Sequence, residues 1–201
     1  MNGDDPYLYP GSTVLRNKLG VLDADALARA EAALVAVRQA AFDVRAVAMT
    51  PEGLRAIHRE LFQDVYAWAG EYRTVDLAKV IDEAREVRFE RAAFVGVGVR
   101  RLFGELDADD RLAGLDPDTF AYRAAVYHDD LNALHPFREG NGRTGRVWLK
   151  ALALQAGHTL DLTRIDPARW IDAATENFGE GVRAERRLMT GVIRAAIVGP
   201  A

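Results

Sequence analysis

Apolar residues recur at helical spacing along most of the chain, and alternation of apolar with polar positions is confined to one short stretch. From about Asp25 to Phe42 the run DALARAEAALVAVRQAAF is rich in helix formers and sets Leu27, Leu34 and Ala41 on one face, which predicts a helix. Thr50 followed by Pro51 reads as an N-cap with proline at the first helical position. Leu54, Ile57, Leu61 and Val65 continue as an apolar stripe, and Gly70 is expected to close that helix. A third helix is expected from Arg91 to Leu106 through Val95, Val99 and Leu102, in spite of Gly96, Gly98 and Gly104. A fourth spans Asp118 to His135, marked by Phe120, Ala124, Tyr127, Leu131 and Leu134.

Further on, VWLKALALQAGH is apolar almost all round, as expected of a helix buried inside a domain, with Gly157 as its C-cap. Asp166 and Pro167 begin another helix bearing Trp170, Ile171 and Ala174, and a last one carries Leu188, Val192 and Ala196. The exception is RTVDLAKVIDEAREVRF, from Arg73 to Phe89. Val75 and Leu77 alternate with polar neighbours there, and Val87 and Phe89 do so again, so a short hairpin is expected although its connection lacks the Gly or Asn of a tight turn. The fold class is therefore all-α, with one small β excursion. No internal repeat or Pro/Gly/Ser-rich linker divides the 201 residues, so a single domain is expected.

Composition narrows the function more than the fold. The formal charge of −4 is spread over interleaved acids and bases, which argues against a broad electrostatic grip on nucleic acid or an anionic membrane. Lys18, Lys79 and Lys150 are the only lysines; the remaining positive charge is arginine, suited to forked contacts with phosphate or carboxylate. The absence of cysteine excludes disulfides, thiolate metal sites and a Cys nucleophile. The opening MNGDDPYLYPG lacks the basic and apolar regions of a secretory signal, and no apolar run reaches membrane-spanning length, so a cytoplasmic protein is the expectation.

Candidate chemistry is concentrated between His135 and Arg146, in HPFREGNGRTGR. Its GNGRTG matches the dinucleotide fingerprint G-x-G-x-x-G, but that motif needs a preceding strand, and a helix is expected here. A P-loop fails as well, because Arg146 and Val147 occupy the Lys and Ser/Thr places. What remains is helix, glycine-rich turn, helix. The free amides and dipole of the second helix start form an anion site, and Arg143 and Arg146 project from its first turn. Glu139 offers a hard oxygen to a divalent cation, and His135 sits where a general base could take a hydroxyl proton. A base, a metal ligand and an anion cradle within twelve residues point to phosphate-ester transfer.

This stretch resembles the motif of the Fic (filamentation induced by cAMP) family, H-x-F-x-(D/E)-G-N-G-R-x-x-R, and fills each of its fixed positions. DPYLYPGSTVLRNKLG near the start and LRAIHRELFQDVYAWAGEYRTVDL from Leu54 to Leu77 are similar to the matching segments of bacterial Fic toxins that act with an antitoxin. The resemblance implies a Fic-type helical bundle over residues 1–201, with a core of about 50–160 and a flap hairpin of about 73–89. It implies an adenylyltransferase that moves AMP from ATP to a Tyr, Ser or Thr hydroxyl of a target protein, with Mg²⁺ as cofactor. His135 would be the base, Glu139 the Mg²⁺ ligand and Phe137 the loop's anchor in the core. Gly140, Asn141 and Gly142 would cradle the phosphates, with Arg143 near the β- and Arg146 near the γ-phosphate.

Many Fic proteins carry an inhibitory helix, (S/T)-x-x-x-E-(G/N), whose glutamate pairs with the motif's second arginine. Neither Ser12 nor any threonine here has a Glu four residues later. The nearest approaches are TENFGEG, where Thr175 lies five before Glu180, and STVLRN, where Arg16 takes the acidic place. The expected partner is therefore a small antitoxin supplying that glutamate to Arg146, and the resemblance makes the DNA gyrase B subunit and its topoisomerase IV counterpart candidate targets. A Doc-like kinase, an autonomous Fic enzyme and a non-catalytic interaction module stand as alternatives. The remaining histidines, His58, His128 and His158, read as packing or capping residues, Phe62, Tyr66 and Trp68 as core or domain surface rather than a ligand cage, and Arg100, Arg101, Arg186 and Arg187 as solvated faces.

Overall fold

A computed structural model describes residues 5–82, 85–175 and 186–201. The elements run α1 (Ala24–Ala41), α2 (Pro51–Phe62), β1 (Ala78–Asp82), β2 (Arg85–Arg88), α3 (Ala92–Ala108), α4 (Pro117–Leu134), α5 (Asn141–Ala156), β3 (His158–Leu160), α6 (Pro167–Thr175), α7 (Arg187–Ala196) and β4 (Ile197–Pro200). The predicted all-α class with a small hairpin is what forms.

Helix α5 occupies the centre. Val147, Trp148, Leu149, Ala151, Leu152 and Ala153 are all buried on it, over most of its circumference, with Lys150 and Leu154 half-buried. Helices α2 and α4 pack directly against α5, and α4 packs in turn against α3 and α7. Helix α4 starts at Asp116, whose carboxylate accepts from the amides of Asp118 and Thr119, and ends at Leu134. Helix α5 ends at Gly157, which takes φ +97°, as expected of a left-handed C-cap. The turn between Leu134 and Asn141 therefore joins two core helices that pack on each other.

Several sequence expectations are corrected. Helix α2 stops at Phe62, with Gln63 capping it; Val65 and Gly70 lie beyond it, and Gly70, at φ +85°, shapes a later turn. The buried face of α1 consists of Leu27, Glu31 and Val35, with Leu34 only half-buried and Ala41 exposed. Ile171 and Leu188 face outward, while Ala173 on α6 and Met189 and Ile193 on α7 fill the core. Arg186 is not a solvated residue: its guanidinium reaches Asp129 and Asp130 of α4 at 3.3 and 3.2 Å. A second antiparallel pair, β3 with β4, was not anticipated; both strands are too short for alternation to register.

The hairpin begins later than expected. Its ladder pairs Ala78 with Arg88, Lys79 with Val87 and Val80 with Glu86, and Phe89 N–H adds one bond to the Leu77 carbonyl at 3.1 Å. The preceding residues are drawn elsewhere. Thr74 N–H donates to the Tyr7 hydroxyl, and the Asp76 carboxylate accepts from the Ala92 amide at the start of α3.

Candidate active site

The turn from His135 to Gly140 is clamped from four sides. Inside it, Asn141 closes the loop on itself: its Oδ1 accepts from Phe137 N–H at 2.8 Å and its Nδ2 donates to the Phe137 carbonyl at 2.7 Å. Beneath it, the Phe137 ring is fully buried and stacks on His58 at 3.9 Å. His58 accepts from Gly70 N–H at Nδ1, which leaves Nε2–H to donate to the Glu139 carbonyl at 3.0 Å. At its outer edge, Arg138 donates twice to Asp5 Oδ2, at 2.9 and 2.8 Å, tying the N-terminal segment to the loop. From the flap side comes Arg73.

Arg73 is buried and spends its whole guanidinium on backbone carbonyls. Nε donates to His135 at 2.7 Å, Nη1 to Val75 at 2.6 Å, and Nη2 to Leu134 at 3.2 Å and to Glu90. Its own amide donates to the Pro136 carbonyl. One side chain thus fastens both feet of the hairpin to the carbonyl end of α4. Those carbonyls lack helical partners, so a buried cation satisfies them and the helix dipole together.

His135 caps α4 in the left-handed region, at φ 44° and ψ 61°, where glycine is the usual occupant. That conformation swings the imidazole out of the helix line. Nδ1 lies 3.2 Å from the Asn132 carbonyl, which can only accept, so Nδ1 carries the proton and Nε2 keeps its lone pair. Phe89 stacks on the ring at 3.7 Å. Burial pushes the imidazole pKa down to about 4; the Asn132 hydrogen bond opposes this, and the charges of Arg73 and Lys79 add to it. The ring is therefore neutral at pH 7, which removes the conflict with a helix C-terminus that would favour the cation. The cost is a lower basicity.

On the other side of the loop the charges are positive. Gly140 takes φ +82°, and a Cβ there would lie 2.3 Å from the Phe62 ring, so no other residue fits. Gly142 is different: its φ is ordinary and a Cβ would meet nothing nearer than Arg146 Nη1 at 4.0 Å. Its missing side chain leaves open space over the helix start. Arg143 contacts Glu31 at 2.5 Å and Glu139 at 3.3 Å. Arg146 has no carboxylate partner among the described residues; burial and neighbouring Arg143 lower its pKa, and its guanidinium lies over Trp170. A half-buried arginine beside a second one, at a helix N-terminus, calls for an anion.

Among the described residues no three His, Cys, Asp or Glu side chains are grouped to hold a metal by themselves. Glu139 nevertheless fits a magnesium ion that takes most of its ligands from phosphate and water. Its Oε1 accepts from Gly140 N–H at 2.8 Å, while Oε2 has no partner among the described residues.

Sequence reasoning passed over Glu31, Arg73 and His58 as site neighbours. Each sits far from the motif in the chain, and none carries a local pattern. The one available signal was Glu31 itself, an acid in register with Leu27 and Val35. The segment TENFGEG, weighed as an inhibitory element, falls largely outside the described residues.

A neutral imidazole at the end of one helix and two arginines in the first turn of the next, on a helical scaffold with a hairpin at its edge, make an arrangement suited to handling phosphate. The chain belongs to the Fic/DOC family, whose sequence pattern matches residues 48–153. It is 37% identical over 171 residues to a probable protein adenylyltransferase Fic of Salmonella typhimurium, covering 85% of this chain and 83% of that one. It is 39% identical over 182 residues to the probable protein adenylyltransferase y4lH of Sinorhizobium fredii, covering 87% and 88%. The crystal structure of BepC from Bartonella tribocorum, which has AMPPNP bound, superposes with a TM-score of 0.88 at 26% identity over 99% of both chains.

Proposed function

We propose that the chain, taken as one Fic domain, is a protein adenylyltransferase that moves AMP from ATP to a Tyr, Ser or Thr hydroxyl of another protein. The observation that carries this reading is the tautomer of His135: Nδ1–H is spent on the Asn132 carbonyl, so Nε2 is free to accept a proton beside the anion-binding turn.

In the proposed reaction the target hydroxyl gives its proton to His135 Nε2 as its oxygen bonds to the α-phosphorus. The bond from the α-phosphorus to the bridging oxygen breaks, and pyrophosphate leaves with that electron pair. The backbone amides of Asn141 and Gly142 and the guanidinium groups of Arg143 and Arg146 hold the phosphates while this charge shifts, and Gly140, whose N–H donates to Glu139 Oε1, lines the cradle by its shape. Both polar ends of the Asn141 side chain are engaged within the turn, so its part is to shape the loop and offer its amide. Glu139 would hold Mg²⁺, which when bound screens the phosphate charge.

The hairpin suits target docking by strand addition, since Lys79, Val80 and Arg88 are exposed on it close to Phe89 and His135. Restraint by a separate antitoxin glutamate fits the lack of a carboxylate on Arg146 among the described residues. The DNA gyrase B subunit and topoisomerase IV are the candidate targets that the family resemblance suggests. No helix among the described residues is long and apolar enough to cross a membrane.

The test is the intact mass of purified gyrase B subunit after incubation with the enzyme, ATP and Mg²⁺. A gain of one AMP, absent with His135→Ala, is expected; an unchanged mass removes gyrase B as target.

A further inference from the structure

We propose that Glu31, on the first helix and outside the matched family segment, is a positioning residue that holds the Arg143 guanidinium in place for the triphosphate. The inference rests on the nucleotide-binding reading of the loop.

Glu31 lies midway along α1, in register with Leu27 and Val35, and is only 7% exposed. A carboxylate at a core position is costly unless fully partnered. Glu31 finds two partners, both at the site. Oε1 lies 2.5 Å from Arg143 Nη2, and Oε2 accepts from the Tyr66 hydroxyl. Tyr66 is itself buried, and burial together with the Glu31 carboxylate drives its pKa up, so it stays a donor. The helix bearing Glu31 is fixed by a second contact: Arg38 forks onto Asp64 at 2.7 and 2.8 Å and reaches Glu60 at 3.0 Å.

Arg143 is thereby held on two sides. Its guanidinium rests over the Phe62 ring at 4.7 Å, and only Nη2 is engaged by carboxylates, at Glu31 and Glu139. Among the described residues nothing bonds to Nε or Nη1. A free arginine loses rotamer entropy when it is fixed; here the contacts to Glu31, Glu139 and Phe62 order the side chain before the nucleotide arrives. Stability alone does not account for the carboxylate, because an apolar residue of similar size in place of a buried ion pair is often neutral or stabilising.

The experiment is calorimetric titration with the magnesium salt of adenosine 5′-(β,γ-imido)triphosphate. Glu31→Met and Glu31→Gln are each expected to weaken binding about tenfold, part of the rotamer entropy of one arginine, since Glu139 and Phe62 still hold the side chain in the variants. Neither should weaken it further when Arg143 is already Ala, because the effect runs through that side chain. Leu27→Ala, one turn earlier on the same helix face, loosens α1 without removing the carboxylate and is expected to leave affinity unchanged. If wild type binds the analogue and the Glu31 variants bind it equally or more tightly, or if Glu31→Gln still weakens binding in the Arg143→Ala background, the inference is overturned. If wild type binds nothing, the nucleotide reading itself fails.

Discussion

Arg73 and His135 are joined by a 2.7 Å hydrogen bond from the arginine Nε to the histidine carbonyl, which ties the foot of the flap to the backbone of the candidate base. Through it the hairpin feet, at Val75 and Glu90, and the left-handed cap of α4 are tied together as one unit. A target strand laid on the flap would therefore be delivered at a fixed offset from the imidazole.

Arg73→Gln should break that unit. It leaves the buried carbonyls of His135, Val75, Leu134 and Glu90 under-satisfied, and a loss of about 3 kcal/mol is expected from penalties of that kind. Urea unfolding measures it. A loss below about 1 kcal/mol would show that water replaces the guanidinium without penalty.

The pH dependence follows from the depressed pKa of His135. The unfolded imidazole takes its proton near 6.5, whereas the folded one resists until about 4, so acid between those values favours the unfolded chain. Stability is thus expected to rise with pH across that window, by up to about 3 kcal/mol from this residue. The acid limb of kcat/KM should lie well below pH 6.5. Comparing His135→Ala with wild type by urea unfolding at pH 4.5 and 7 isolates the first effect: the variant should lose less stability on acidification.

The two loop glycines should behave in opposite ways. Gly140→Ala forces a Cβ to 2.3 Å from Phe62 at a positive φ, and about 2 kcal/mol or more of destabilisation is expected. Gly142→Ala meets no obstacle, and in a helix it should stabilise by up to about 1 kcal/mol. Nucleotide binding should nonetheless weaken, since the added methyl stands over the helix start. Thermal unfolding and analogue titration of both variants separate the two roles.

Much of this site was legible in the sequence because its parts are contiguous. Helix spacing up to Leu134, the glycines, and the apolar run after Arg146 marked helix, turn and helix, and the residue types within the turn named the chemistry. The misreadings share a physical origin. Val65 and Gly70 continue a pattern of spacing, but the chain leaves α2 at Phe62, and Gly70 N–H reaches back from a separate turn to His58 Nδ1. Arg73 looked like the first residue of a strand, and its value lies in carbonyls 2 to 62 positions away. Glu31 broke an apolar face, and its partner sits on a helix more than a hundred residues later. Periodicity reports the faces of elements; it carries no record of which distant charge a buried acid will meet.

The central claim is that His135 activates a protein hydroxyl against the α-phosphate of ATP. The most direct measurement incubates a soluble bacterial extract with the enzyme, Mg²⁺ and ATP radiolabelled at either the α or the γ position. Label from the α position alone should remain on protein, and His135→Ala should reduce it by about 10²- to 10⁴-fold. Protein label from the γ position, as a Doc-like kinase would leave, or undiminished transfer by the variant, would contradict it.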